Sequence, residues 1–124
     1  MNNSDRNKLL LGLRPDIVID TERKSMDEEL FQNNTLRPIL KFQNELILAY
    51  FKEKTCSLKF PREQKEKLLF VENTIRKDAV LRNQLIGIII GLFTTEEFTF
   101  YLIQTTQINK RISQLLIKRI QDQV

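Results

Sequence analysis

This sequence predicts an all-α protein, a helical bundle of three long helices behind a short leading helix, with an extended N-terminal tail. Three observations carry that expectation. Glycine and proline number three each in 124 residues, too few for the many tight turns of a β-protein. Apolar residues recur at three- and four-residue steps along much of the chain. Two helix-start signatures, Ser25 with Glu28 and Thr94 with Glu97, have the spacing of a capping box. The organisation that follows is a tail or arm over residues 1–24 and a single helical-bundle domain over residues 25–124.

In the tail, Asp16-Ile17-Val18-Ile19-Asp20 alternates briefly after Arg14-Pro15, and a residue before proline favours extended backbone. Leu9 to Leu13 would pack on the body or on another subunit, and a partly disordered terminus is the alternative. A helix is expected near Met26, with Asp27, Glu28 and Glu29 at the positive end of its dipole. Pro38 interrupts it. Thr35 as a fresh cap would place Pro38 in a first turn, where proline is tolerated. That gives a short helix over 27–34, a kink, and a main helix over 36–53 with a stripe of Ile39, Phe42, Leu46, Ala49 and Tyr50.

Pro61 is placed to open the next helix. The stripe Leu68, Val71, Ile75 and Ala79 leads into Leu85 to Phe93, the densest apolar run of the chain. No breaker precedes Gly87, so one long helix is expected, with Lys77-Asp78 the place for a bend. The apolar run is too short for a membrane span, which needs about 20 residues. It reads as a helix buried on nearly every face; a central strand is the alternative, because Ile88-Ile89-Ile90 has strand propensity. Gly87 and Gly91 share one helix face. They either admit a second helix closely, or Gly91 ends the helix in the left-handed region. From Thr95 to Asp122 the seam Phe98, Tyr101, Thr105, Ile108, Ile112 and Leu115 alternates steps of three and four, and Leu102, Leu116 and Ile120 widen it into a bundle-facing stripe.

The chemistry-bearing residue types are sparse. There is no histidine and one cysteine, Cys56, which removes the commonest neutral-pH base and any paired-cysteine zinc site. No glycine-rich nucleotide loop and no nucleophile-elbow motif occurs. The sequence therefore nominates no catalytic residue, no metal ligand and no cofactor. It nominates Gly87, Gly91, Tyr101, Ile108, Ile112 and Leu115 for helix packing or an interface. Arg82 and Gln84, beside the apolar run, are candidate buried polar residues, with Glu45 or Glu97 as the partner for Arg82. The net charge of +4 is mixed, with no block of five like charges. A lone cysteine suits a reducing compartment, and Asp5 before a short leucine cluster does not make a secretion signal, so a cytoplasmic protein is expected.

Phe31-Gln32-Asn33, Arg37-Pro38-Ile39-Leu40-Lys41, Arg82-Asn83-Gln84-Leu85 with Gly87 and Gly91, and Glu96-Glu97-Phe98 together give a pattern that resembles a small group of uncharacterised bacterial helical proteins of similar length, from Phe31 onward. Some of that group are labelled glyoxalase. The label implies a mixed α/β metalloenzyme with histidine and glutamate ligands. This histidine-free chain carries no such set, and the resemblance implies a cytoplasmic helical protein with no transferable active site. The functional expectation is a non-enzymatic, self-associating or protein-interaction module, a homo-oligomer with a dimer favoured. The alternatives are nucleic-acid binding through Lys110, Arg111, Lys118 and Arg119, and a small-ligand or enzyme site in the bundle around Arg82.

Overall fold

The computed structural model describes residues 3–14 and 27–124. Among these residues all regular structure is helical, in agreement with the all-α expectation. The division into elements is finer than three long helices. The order is α1 (Asn3–Leu13), α2 (Glu28–Phe31), a π-helical turn (Gln32–Leu36), α3 (Arg37–Phe42), α4 (Asn44–Thr55), α5 (Gln64–Lys77), α6 (Ala79–Ile90), α7 (Thr95–Ile103) and α8 (Thr105–Gln121).

The N-terminal segment is not an extended tail over Asn3–Leu13 but a helix. Leu10 is buried, whereas Leu9, Leu11 and Leu13 are exposed, so a single apolar anchor holds α1 and polar contacts do the rest. The expected arm over 16–20 and the capping box at Ser25 lie outside the described residues. Asp27 is the cap of α2 instead, its carboxylate accepting from Leu30 N at 2.7 Å.

Proline governs the next junction, though not through a fresh cap at Thr35. Backbone torsions stay right-handed helical from Gln32 to Arg37, and Arg37 N reaches back to Gln32 O. The wider π-type turn absorbs the proline, because Pro38 has no N–H for the carbonyl four residues back. A second break falls at Gln43 (φ −90°, ψ 8°) between α3 and α4. The stripe expected of this helix is displaced. Ile39 is buried, but Phe42 is 45% and Leu46 is 55% exposed. The inward face runs instead through Leu40, Gln43, Asn44, Ile47, Phe51 and Thr55.

Pro61 does not open α5. Glu63 is still extended (φ −74°, ψ 137°) and the helix starts at Gln64. Phe60 meets Phe70 edge-on at 5.1 Å. Ten residues of helix would separate them by about 15 Å, so the connection must fold back for the rings to touch. The long helix expected up to Gly87 breaks at Asp78 (φ −91°, ψ 91°), which caps α6 through Leu81 N at 3.0 Å. The last helix likewise breaks at Gln104 (φ −131°, ψ 40°). Thr105 Oγ1 donates to Tyr101 O at 3.1 Å and partners the carbonyl end of α7. Tyr101 Oη donates to Asn109 Oδ1 at 2.7 Å across this break.

Helix α5 lies along α8, and α6 packs on α4, α5 and α8. The core between them is filled by Ile47, Phe51, Val71, Ile75, Leu85, Ile89, Ile112, Leu116 and Ile120. At one end an aromatic cluster closes it. Phe31 stacks on Phe100 at 5.0 Å and meets Phe93 edge-on at 5.4 Å, and Phe93 meets Tyr101 at 5.8 Å. Helix α6 is not buried all round. Val80, Asn83, Gln84, Gly87 and Gly91 form an exposed stripe at three- and four-residue steps.

Candidate functional site

The turn between α6 and α7 is where the chain concentrates its polar interactions. The last carbonyls of α6 are taken by the turn that follows, Gly91 N donating to Gly87 O at 2.9 Å, Leu92 N to Ile89 O at 3.2 Å and Phe93 N to Ile90 O at 3.0 Å, and the carbonyls of the turn itself face other donors. Helix α1 and Arg14 just after it supply those donors. Arg6 Nη1 donates to Phe93 O at 2.8 Å and Arg6 Nη2 to Gly91 O at 3.3 Å. Arg14 Nη2 donates to Leu92 O at 3.3 Å. On the α7 side, Thr95 N donates to Asn7 Oδ1 at 3.1 Å and Asn7 Nδ2 donates to Thr95 Oγ1 at 3.0 Å. The N-terminal segment thus ties down the α6–α7 turn and the first residue of α7 together.

Glu97 lies at the centre of this junction and is 5% exposed. Thr94 and Glu97 form the capping box that the sequence predicts, with Thr94 N donating to Glu97 Oε1 at 2.8 Å and Glu97 N donating to Thr94 Oγ1 at 3.2 Å. The same carboxylate takes both terminal nitrogens of Arg14, one at 2.6 Å, and the hydroxyl of buried Thr35. Arg14 Nη1 also faces Asn34 O at 3.5 Å, the carbonyl that Pro38 leaves without its usual partner. Four segments therefore converge on one carboxylate: the end of α1, the π-helical turn, the α6–α7 turn and α7.

Burial pushes the Glu97 carboxyl up, but the hydrogen bonds from Arg14, Thr35 and the Thr94 amide, with the Arg14 charge, outweigh it and hold the carboxyl below its usual range. A general base must be free to accept a proton near neutral pH. A carboxylate engaged by four donors and held ionised is instead a lock on the fold.

The nominated residues separate into distinct roles. Tyr101, Ile108 and Ile112 are buried in the core of the chain and Leu115 is half-buried, so all four pack helices within it. Gly87 is exposed, with nothing among the described residues within 4 Å of where a Cβ would stand. Gly91 ends α6 with right-handed torsions (φ −58°, ψ −18°), not in the left-handed region. Gln84 is exposed rather than buried, because it falls on the outward stripe of α6. Arg82 is half-buried and pairs with neither Glu45 nor Glu97; its Nη1 donates to Ile75 O and Arg76 O at 3.1 and 2.6 Å, capping the end of α5. Among the described residues the buried arginine is Arg14. Its position beside Pro15 carries no periodic signal, and only the packing of α1 reveals it.

Beyond the junction, α7 presents an unusual outer face. Phe98 is 42%, Leu102 is 58% and Ile103 is 77% exposed, although the seam pattern placed Phe98 and Leu102 inward. The break at Gln104 rotates α7 relative to α8 and turns them out. From Phe98 to Asn109 the chain carries no charged residue, against 29% for the whole. Among the described residues, no cluster of histidine, cysteine, aspartate or glutamate has the arrangement of a metal site, and no helix is long and apolar enough to cross a membrane. Comparison with protein-family models, with curated proteins and with solved structures returns no match.

Proposed function

We propose that this chain is a non-enzymatic cytoplasmic module that pairs with a second copy of itself through the outer face of α7. The observation that carries this reading is the exposure of Leu102 and Ile103 within a surface segment free of charge. Depletion of charge marks the centre of an interface more reliably than hydrophobicity does. A second copy is the favoured occupant because each chain carries a net charge of +4. Like chains repel through charged faces, and a two-fold contact brings the same patch against itself, so an uncharged face suits it.

A standard interface buries about 800 Å² on each partner. Helix α7 is too short to supply that by itself. Exposed Leu11 and Leu13 of α1 add apolar surface next to the start of α7, where Arg14 meets Glu97. Neither the sheet nor the histidine ligands implied by a glyoxalase are supplied by an all-α, histidine-free chain, so this reading takes no such activity from the resemblance.

Sedimentation equilibrium tests it. The wild-type chain is expected to be a dimer at high micromolar concentration, and Leu102→Glu with Ile103→Glu a monomer with an unchanged circular-dichroism spectrum. A clean wild-type monomer at that concentration overturns the reading.

A further inference from the structure

A second surface feature, away from the α6–α7 junction, lies between α3 and the C-terminal half of α8. It is a cleft of about 210 Å³, walled by Leu40 and Leu115 and rimmed by Arg37, Lys118 and Arg119. That volume is about seven times the share of one water molecule in the liquid. Asp122, the acidic residue of the lining, is engaged by Lys118 Nζ at 3.0 Å. Arg37 and Arg119 have no ion-pair partner among the described residues, and Arg37 Nε makes a 3.3 Å bond to the neutral Asn33 Oδ1.

Basic residues in a last helical turn often serve only the helix dipole. Arg119 is directed elsewhere. Its Nη1 donates sideways to Asn44 Oδ1 at 3.4 Å, and Asn44 is itself fixed by reciprocal 2.8 Å bonds with the Gln123 amide. The amide pair thus braces Arg119 against α4 and α8. We propose that this cleft binds a phosphoryl group, taken by the two guanidinium groups, with the apolar walls against the carbon portion of an ester. Guanidinium forks match phosphate oxygens in number and plane. Burial, and then the charge of Arg37, lowers the Arg119 pKa from its usual value despite the opposing effect of Asp122. The two arginines repel each other, and a bound anion relieves that repulsion.

The phosphoryl group belongs either to a small phosphate ester or to a nucleic-acid backbone. The experiment is titration of the full chain, followed by amide NMR shifts at low ionic strength, with inorganic phosphate, phenyl phosphate and a single-stranded oligonucleotide as probes. Saturable shifts around the cleft are expected. Arg37→Gln and Arg119→Gln should each weaken binding by about tenfold or more, and Lys77→Gln, exposed at the end of α5 and outside the cleft, should leave it unchanged. Arg37 is exposed, so that variant tests the site even if Arg119→Gln disturbs the fold. Preference for phenyl phosphate supports the site and assigns it to small esters; preference for the oligonucleotide, lost in the same variants, supports it and assigns it to nucleic acid. No saturable shift with any probe, or shifts indifferent to Arg37→Gln, overturns the proposal.

Discussion

The Arg14 guanidinium lies flat against the Glu97 carboxylate inside the molecule, two nitrogens on two oxygens, with the residues 83 positions apart and their side chains 3% and 7% exposed. The pair joins the first described helix to the start of α7, and Thr35 and Thr94 complete the coordination of the carboxylate. Arg14 Nε has no hydrogen-bond partner among the described residues. A buried pair of this kind adds little net stability over an apolar replacement but is costly to break on one side.

Replacing Glu97 by Gln, or Arg14 by Met, is therefore expected to cost about 3–5 kcal/mol in each single variant, because each leaves an uncompensated polar group. The double variant should lose clearly less than the sum. Urea denaturation of the four proteins measures the cycle. Strict additivity would show that the two side chains do not act as a pair.

Glu97 also makes stability depend on pH with a definite sign. Its folded-state pKa is depressed, so between the folded and unfolded values the unfolded chain binds more protons and stability rises with pH. The contribution is complete above the ordinary carboxylate range and is lost as pH falls through the lower folded value. Thermal midpoints of wild type and Glu97→Gln should converge as pH is lowered through that acid window. A gap that stays constant across it would contradict this account.

The two glycines of α6 should respond differently to alanine. Gly87 is exposed with open space around it, so Gly87→Ala should stabilise the chain by about 1 kcal/mol through helix propensity. At Gly91 a Cβ would stand 3.3 Å from Gly87 O, so Gly91→Ala should gain less. Thermal melts of both variants rank them. A destabilised Gly87→Ala, or one with altered association, would instead give Gly87 the close-packing role that its spacing suggests.

Much of the helical content was legible because its signals are short-range. The capping box at Thr94 and Glu97 needs only four consecutive residues, and the bend expected at Lys77-Asp78 falls where Asp78 breaks the helix. The inward face of α4 escapes apolar periodicity for an equally plain reason. Gln43 and Asn44 are polar, so a pattern of apolar residues points away from them, yet Gln43 Nε2 bonds Ile88 O at 3.3 Å and Asn44 pairs with Gln123. Polar groups with tertiary partners are invisible to a periodicity of apolar residues. The same blindness hid Arg14, and it hid the cleft, whose three cations come from α3 and α8.

Taken alone, the order of amino acids determined that this chain is helical, where several helices start, and that no histidine-based chemistry is available. Backbone hydrogen bonds and caps act within about four residues, so a local reading suffices for them. Which arginine neutralises which carboxylate, that the last helix breaks at Gln104, and which apolar side chains stay outside were decided by packing. Those outcomes depend on contacts between residues far apart in the chain, such as those that join Arg14, Thr35 and Glu97.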